Sequence, residues 1–293
     1  MSLITNGHIE GFPAGNPSLP GQQPVHALPS AVTAFDRFQA RISPRQPAVF
    51  LDFDGTLTPI VPRPDMARLS WAARTAVAAL AERCLVAIVS GRDRLEVEHL
   101  VGLPNLIYAG SHGFDIILPD GRVPEHGGVF HDQALLDRMV AVLRHRLASV
   151  PGSLIERKRF TVAVHSRHVP PDHVETVQDV VSQLLKAEHP YVKLTTGKMV
   201  YELQPNLDWD KGKAVLWIVT ELGLDKSDIV PIFFGDDVTD EHAFSRLKGH
   251  GLGVIVAGAA DHDRLTTADF RVENPDEVMT VLQCLQALAP GPE

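Results

Sequence analysis

The chain has few cysteines and no long apolar run. Two cysteines, Cys84 and Cys284, occur among 293 residues, which is too few for a disulfide framework. We therefore expect a reducing, cytoplasmic location. No uninterrupted apolar run reaches the ~18 residues that a membrane-spanning helix requires, so we expect no membrane partner.

Positive charge is also scarce. The chain carries 27 Lys and Arg against 36 Asp and Glu, which gives a formal net charge of −9. An acidic chain is poorly suited to binding nucleic acid or an anionic membrane through its overall charge. Residues 119–200 differ, because they carry 11 Lys and Arg against 9 Asp and Glu. A small anionic substrate is therefore not excluded, since a local site can oppose the overall sign.

Residues 1–45 differ in composition from the rest of the chain. Proline and glycine recur through the first half of this segment. Such a composition buries little apolar surface, so we expect an irregular N-terminal arm over residues 1–45. We expect neither a secretory signal nor a transit peptide, because a basic start and an apolar stretch are missing and no Arg precedes Arg37.

Short apolar runs alternate with helical patterns on both sides of the middle of the chain. Strands are predicted over 48–52, 85–89, 106–109, 229–234 and 253–256. Helices are predicted over 70–83, 95–101, 213–222 and 276–287. This alternation is typical of an α/β fold with an open, Rossmann-like parallel sheet, whose strand ends line a ligand crevice. We place this core at residues 46–118 and 201–288.

The middle segment, residues 119–200, has a different pattern. Helices are predicted over 135–147 and 174–185. Apolar and polar residues alternate over 155–165 and 199–203, as in strands of an antiparallel sheet. The segment is therefore predicted to be a small α+β domain inserted into the core, and a candidate cap.

Two carboxylates directly follow the first core strand, in Asp52-Phe53-Asp54-Gly55-Thr56. Like charges this close oppose each other's ionisation unless a cation lies between them. The pattern favours a nucleophile and a general acid/base, neutralised by a divalent metal. An acidic turn that caps a helix is the alternative explanation for this pentapeptide alone.

A second acidic cluster follows the strand at 229–234 and contains Asp236, Asp237, Asp240 and Glu241. Carboxylate oxygens suit Mg²⁺, which uses one or two protein carboxylates together with substrate phosphate. The alternative is a solvated helix N-terminus, where acidic residues are favoured by the helix dipole. Asp240 and Glu241 could serve as capping and supporting groups.

Ser90 and Lys211 each occur beside a predicted helix. Ser90 ends the strand at 85–89, where its hydroxyl could donate to a phosphoryl oxygen or cap a helix. Lys211 lies near the start of the helix at 213–222. A lysine beside a carboxylate nucleophile would hold phosphate charge, whereas an exposed charge run is the alternative.

Taken in order, these residues resemble the four motifs of the haloacid dehalogenase superfamily of phosphohydrolases. The longer stretches at 50–57, 88–92, 108–113, 210–214 and 235–241 resemble trehalose-6-phosphate phosphatases. Glu156-x-Lys158 followed by His165-x-Arg167 resembles the cap signature of that family. The resemblance covers about residues 48–258. Phe53 stands where Tyr is frequent and His242 where an acidic residue is frequent; neither is a group that the chemistry needs.

The resemblance implies a role for each motif residue. Asp52 would be the nucleophile that forms an aspartyl-phosphate, and Asp54 the general acid and base, which requires a raised pKa. Mg²⁺ would be bound by the Asp52 carboxylate, the Asp54 backbone carbonyl and Asp236. Ser90 and Lys211 would hold the phosphoryl oxygens. Supporting roles fall to Thr56, Asp237 and Asp240.

The resemblance also implies that cap residues bind the sugar. The expected substrate-binding residues are Glu156, Lys158, His165, Arg167, Lys198 and Glu202, with Arg92 and His112 from the core. A solvated position on the polar face of a strand explains His165 equally well. The implied activity is Mg²⁺-dependent hydrolysis of trehalose 6-phosphate by a monomer, the last step of trehalose biosynthesis. Sucrose phosphate or mannosylphosphoglycerate are alternative substrates. A non-enzymatic sugar-phosphate sensor is a further alternative, against which the intact motifs argue.

Overall fold

The computed structural model of this protein describes residues 21–124, 133–197, 199–224 and 228–288. These residues form two compact units. The core unit contains residues 21–124 and 207–288, and the inserted unit contains residues 133–206. None of the helices in the described residues combines the length and apolar character that a membrane span needs.

Thirteen strands are present in the described residues. They are β1 Gln23–Pro24, β2 Gln46–Leu51, β3 Val86–Val89, β4 Ile107–Gly110, β5 Asp115–Ile117, β6 Leu154–Arg157, β7 Val162–His165, β8 Val192–Gly197, β9 Val200–Pro205, β10 Ile229–Gly235, β11 Leu252–Val256, β12 Leu265–Thr266 and β13 Phe270–Val272. The α-helices are α1 Phe35–Ile42, α2 Trp71–Ala81, α3 Arg94–Val101, α4 Gln133–Arg146, α5 Val174–Ala187, α6 Lys211–Glu221, α7 Glu241–Leu247 and α8 Pro275–Leu288.

The core unit contains a seven-stranded sheet in the order β13-β11-β10-β2-β3-β4-β5. Every neighbouring pair is parallel except β4 and β5. Strand β10 follows the inserted unit in sequence, yet it pairs directly with β2. The predicted α/β fold with a mostly parallel sheet is confirmed. Because parallel strands end at the same edge, the residues after β10, β2 and β3 come close together.

Helices cover both faces of this sheet. Leu51, Ile88 and Phe234 belong to one hydrophobic cluster with Leu80 of α2 and Leu282 of α8. Alternate residues of these strands point to the other face of the sheet. There the ring of Phe233 packs edge-on against Phe244 of α7, with ring centroids 5.8 Å apart. Burial on both faces explains why these strands are continuous apolar runs in the sequence.

Residues 21–45 differ from the irregular arm expected over residues 1–45. Strand β1 pairs with β12, and α1 packs onto the core through Phe38, whose buried ring lies 5.1 Å from that of Phe270. Helix α1 has eight residues and buries only Phe38 and Ile42. Two apolar positions are too few to produce a clear helical period. Residues 1–20 of the expected arm lie outside the described residues.

The inserted unit contains a four-stranded antiparallel sheet in the order β6-β7-β9-β8. Helix α4 packs against β6 and β7, and α5 packs against β8. The alternation over 155–165 corresponds to the hairpin of β6 and β7. Strand β9 pairs with β7 and β8, so this unit extends to Asn206 instead of ending at residue 200. The predicted boundary at residue 200 falls at the start of β9, although the alternation over 199–203 is the pattern of the other strands of this unit.

Candidate active site

Three neighbouring strands of the core sheet place polar residues at one edge. Asp236 follows β10, Asp52 follows β2 and Ser90 follows β3. The backbone N–H of Asp52 donates to the carbonyl of Phe234 over 2.9 Å, which fixes Asp52 beside the end of β10. Asp52, Ser90 and Asp236 are all buried. Buried polar groups need partners.

Lys211 is the partner of two of these carboxylates. Its ammonium donates to Asp52 Oδ1 over 2.6 Å and to Asp240 Oδ1 over 2.8 Å. Lys211 is the first residue of α6, and Asp210 caps this helix by accepting the backbone N–H of Lys213 over 2.8 Å. Arg246 of α7 donates to the same cap carboxylate. The start of α6 thus holds Lys211 in the site.

Asp240 holds the loop that carries Asp236. One Asp240 oxygen binds Lys211, and the other accepts the backbone N–H groups of Asp236 and Asp237 over 3.0 Å each. Asp240 is fully buried. Asp237 instead accepts the backbone N–H of Val238 over 2.7 Å. Both side chains therefore shape this loop through backbone contacts.

Burial and charge compete at the Asp52 and Lys211 pair. Burial raises the pKa of Asp52 to about 7, although Lys211 acts in the opposite direction, and the negative charge of Asp240 raises it further. Burial alone would lower the pKa of Lys211, but Asp240 and Asp52 outweigh this effect and raise that pKa above its ordinary value. Lys211 is therefore charged at neutral pH, and its ammonium is shared between two carboxylates.

The carboxylate cluster has the composition and charge of a divalent cation site. Asp52, Asp236 and Asp240 each offer an oxygen, and these oxygens lie within 4.8 Å of one another. Three carboxylates and the Lys211 ammonium sum to −2 when all are ionised. Because both oxygens of Asp240 already accept hydrogen bonds, Asp52 and Asp236 are the members best suited to bind an ion directly. Hard oxygen donors suit Mg²⁺.

Gly55 allows the two acidic loops to approach. Its φ is +87°, and a Cβ added there would lie 2.2 Å from Asp236 Oδ2. Only glycine combines this conformation with such a close approach. The next residue, Thr56, is fully buried, and its hydroxyl has no hydrogen-bond partner among the described residues.

Asp54 is held by Arg92. The guanidinium donates to both oxygens of Asp54, from Nε over 2.7 Å and from Nη2 over 2.9 Å. Arg92 also donates to the carbonyl of Pro64 and to Glu96, and its guanidinium carbon lies 5.6 Å from the centroid of the Phe53 ring. The expected role of Arg92 in substrate binding must therefore compete with these internal partners.

The segment after β4 lies against the segment after β3. The carbonyl of Ser90 accepts the backbone N–H of His112 over 2.8 Å. His112 has a φ of 57°, and a Cβ added to Gly91 would lie 2.8 Å from the His112 ring. The hydroxyl of Ser90 accepts the backbone N–H of Arg92 over 3.1 Å. Ser90 and His112 are thus brought together, as their positions after adjacent strands suggest.

The inserted unit brings together four of the expected sugar-binding residues. Glu156 Oε2 lies 2.8 Å from His165 Nε2, and Lys158 donates to Glu202 over 3.1 Å. Strand register places Ala163 between Glu156 and Glu202, so both carboxylates lie on the same sheet face. The hydrogen bond to His165 lowers the pKa of Glu156, although burial opposes this shift. These residues form a polar cluster on one sheet face.

Arg167 and Lys198 are the other two expected residues of this unit. Arg167 is exposed in the turn after β7. Lys198 lies outside the described residues. Thr161, which sequence reasoning missed, donates to Glu202 over 2.7 Å. Thr161 lies between the apolar residues Phe160 and Val162 in an alternating stretch, and this pattern does not mark it as a binding residue.

Glu96 and Arg264 are also residues that the sequence analysis missed. Glu96 lies four residues after Arg92 and pairs with it, but Arg92 precedes α3, so helical spacing did not indicate the contact. Arg264 donates over 2.5 Å to the backbone carbonyl of Asp236. No sequence pattern indicates this contact, because it depends on the path of a loop.

Known structures share this fold. The C-terminal domain of Candida albicans trehalose-6-phosphate phosphatase is 22% identical, with a TM-score of 0.75 over 89% of this chain and 98% of that chain. Aspergillus fumigatus trehalose-6-phosphate phosphatase is 28% identical, with a TM-score of 0.61 over 89% and 99% of the two chains. Fold and carboxylate cluster together define a haloacid dehalogenase-like α/β protein with an inserted α+β unit.

Sequence comparison identifies the family. A profile described as trehalose-phosphatase matches residues 50–276. Trehalose-phosphate phosphatase of Mycobacterium marinum is 42% identical over 259 residues, which is 88% of this chain and 66% of that protein. The chain belongs to the trehalose-phosphatase family, and the resemblance drawn from the motifs is confirmed. It spans slightly less than two thirds of the length of such curated relatives.

Proposed function

We propose that this protein is a Mg²⁺-dependent phosphatase that hydrolyses trehalose 6-phosphate to trehalose and phosphate, the last step of trehalose biosynthesis. The observation that carries the proposal is the buried pair of Asp52 and Lys211 beside Asp236 and Asp240. A buried carboxylate next to a fixed ammonium suits nucleophilic attack on a phosphate ester. Family membership and the names of the relatives support the choice of substrate.

In the first step, a carboxylate oxygen of Asp52 attacks phosphorus and forms an aspartyl-phosphate. The bond between phosphorus and the sugar oxygen breaks. That oxygen keeps the electron pair of the broken bond and accepts a proton from Asp54. Lys211 and Ser90 hold the phosphoryl oxygens as charge shifts. A Mg²⁺ ion would be held by the Asp52 and Asp236 carboxylates and the Asp54 carbonyl, and when bound it would supply positive charge at the phosphoryl group.

In the second step, water attacks phosphorus of the aspartyl-phosphate. Asp54, now a carboxylate, takes a proton from this water. The bond between phosphorus and the Asp52 oxygen breaks, which releases phosphate and restores the Asp52 carboxylate. Asp237, Asp240 and Thr56 act as supporting residues of the two loops.

We assign sugar binding to the polar cluster of the inserted unit, with Glu156, Lys158, His165 and Glu202 as the principal residues. Paired carboxylates and cations on one face offer both acceptors and donors to sugar hydroxyls. Arg167, Lys198 and His112 remain further candidates, whereas the guanidinium of Arg92 is engaged by Asp54, Glu96 and Pro64. Sucrose phosphate and mannosylphosphoglycerate are the competing substrates, because the catalytic residues do not distinguish sugars.

A reducing, cytoplasmic location and a monomeric state belong to the same proposal. The two cysteines are unpaired in the structure. The expected partner is a small sugar phosphate.

Phosphate release from a panel of sugar phosphates tests the proposed function. We expect rapid release from trehalose 6-phosphate with Mg²⁺, and none with a chelator. Comparable turnover of glucose 6-phosphate, or faster turnover of sucrose phosphate, would contradict the proposed substrate. Binding of trehalose 6-phosphate without phosphate release would favour a sensor.

A further inference from the structure

Arg92 is surrounded by partners of its own chain. Its side chain is 8% exposed, whereas that of Asp54 is 34% exposed. The contacts with Asp54, Pro64 and Glu96 use four of the five N–H groups of a guanidinium. Few donors therefore remain for a substrate.

The contact between Arg92 and Asp54 has the geometry that fixes a carboxyl group. Two parallel hydrogen bonds from a planar guanidinium define both the position and the plane of the carboxyl group. Each oxygen of Asp54 keeps a second lone pair that Arg92 does not use. The buried arginine thus holds Asp54 from one side, while the exposed part of Asp54 stays accessible to a reacting group.

Glu96 and Pro64 fix Arg92 in turn. Glu96 lies in the first turn of α3 and binds Nη1, while the carbonyl of Pro64 accepts from Nη2 over 2.9 Å. These two contacts come from two separate segments, helix α3 and the loop that contains Pro64. They restrict rotation of the guanidinium, so its orientation is set before any substrate binds.

We propose that Arg92 is a positioning residue for Asp54, that Glu96 orients Arg92, and that Arg92 is not a sugar ligand. The proposal rests on the proposed function, in which Asp54 protonates the leaving oxygen. Protonation matters most for a poor leaving group. Loss of Arg92 should therefore slow the reaction in proportion to the basicity of the leaving oxygen.

Aryl phosphates test this dependence without any sugar. kcat/KM reports the steps up to departure of the leaving group, so phenyl phosphate and p-nitrophenyl phosphate are compared with Mg²⁺. For Arg92→Ala we expect kcat/KM to fall by about 10²-fold for phenyl phosphate, and far less for p-nitrophenyl phosphate. Arg92→Lys should retain part of the activity that Arg92→Ala loses. Glu96→Gln should also lose more kcat/KM for phenyl phosphate than for p-nitrophenyl phosphate, but less than Arg92→Ala. An equal loss for both substrates would overturn the proposal.

Arg94 provides a matched control. It begins α3, its side chain is 10% exposed, and it pairs with Glu98 over 2.5 Å with the same spacing as Arg92 and Glu96. Arg94→Ala removes a comparable ion pair that does not touch Asp54. Any loss of activity in this variant should be the same for both aryl phosphates.

Substrate binding provides a second, independent test. The affinity for trehalose 6-phosphate is measured in an Asp52→Asn background, with and without Arg92→Lys. We expect the same Kd in both proteins. A Kd that is tenfold weaker would make Arg92 a substrate ligand and overturn the proposal. A wild-type protein that hydrolyses aryl phosphates but neither binds nor hydrolyses trehalose 6-phosphate would instead contradict the proposed function and leave the aryl test of Arg92 valid.

Discussion

Lys211 donates a 2.6 Å hydrogen bond to Asp52, although 159 residues separate them in the sequence. The same ammonium binds Asp240, which in turn accepts the backbone N–H groups of Asp236 and Asp237. One side chain thus connects the loops after β2 and β10. Stability and chemistry of the site should therefore both depend on Lys211.

Replacement of Lys211 by methionine should destabilise the protein strongly. Lys211→Met leaves Asp52 and Asp240 buried without their cation, which typically costs about 3–5 kcal/mol. We expect a matching fall in the free energy of unfolding, measured by urea denaturation, and loss of phosphatase activity. Added Mg²⁺ should restore part of the stability.

Lys213 gives the control for this prediction. It lies two residues after Lys211 on α6 and pairs with Asp208, whose side chain is 96% exposed. Because exposed pairs contribute at most about 1 kcal/mol, Lys213→Met should cost far less than Lys211→Met. Equal losses in the two variants would mean that the buried pair is not special.

Asp52 should make the metal-free protein less stable as pH rises. Its pKa is raised from 3.8 to about 7 in the folded state, so ionisation between these values disfavours folding. Asp52→Asn cannot ionise. In the presence of a chelator, we expect the Tm of this variant relative to wild type to increase from pH 4 to pH 7. The variant should have no turnover at any pH.

Excess Mg²⁺ is the control for the Asp52 prediction, because a bound cation favours the ionised carboxylate. The pH dependence of the difference in Tm should then become weaker. A difference that stays constant with pH in chelator would show that Asp52 does not titrate in this range.

Asp210 should stabilise the start of α6. Asp210→Ala removes the hydrogen bond from the Lys213 backbone N–H that caps α6, and also the contact with Arg246. Loss of a helix cap costs about 1–2 kcal/mol. Burial alone would raise the pKa of Asp210, but Arg246 and the cap contact lower it below 3.8. The contribution of the ionised Asp210 carboxylate to the free energy of unfolding is therefore complete above pH 5. It is lost as pH falls through the lowered pKa.

Urea denaturation of Asp210→Ala at several pH values checks this prediction. The difference from wild type should be constant between pH 5 and pH 8 and smaller near pH 3. Asp208→Ala, at an exposed position of the same segment, should have little effect.

Glu156 should affect reactions of the disaccharide phosphate alone. Glu156→Ala removes a charged hydrogen-bonding group worth about 1.5–3 kcal/mol, so kcat/KM for trehalose 6-phosphate should fall by about 10- to 100-fold. Turnover of p-nitrophenyl phosphate should not change. Glu175, an exposed residue of α5, is the matched control. Unchanged kinetics with trehalose 6-phosphate would remove Glu156 from the site.

The arrangement of the core could be predicted from the sequence because its apolar strands end directly before the polar residues of the candidate site. Asp52, Ser90 and Asp236 each follow a strand that is buried on both faces, and parallel pairing brings such positions together. Lys211 could be predicted as well, since its segment begins a helix. These signals depend on local patterns and on one rule of topology.

The partners of these residues could not be predicted in the same way. Arg92 was expected to contact substrate, yet it binds Asp54 and the carbonyl of Pro64. The position of Pro64 depends on a loop that has no periodic pattern. Strand β9 was divided between the two units by the boundary predicted at residue 200, although its pairing with β7 and β8 places all of it in the inserted unit.

The insertion of one unit within another sets an order for events on the ribosome. Residues 133–206 form a continuous unit, and domains generally fold as units during synthesis. Asp52 is translated long before Lys211 and Asp240, about 10–40 s earlier at 5–20 residues per second. The nascent chain must therefore carry the Asp52 carboxylate without its Lys211 partner until the later core segments, including β10 beside β2, can join the sheet.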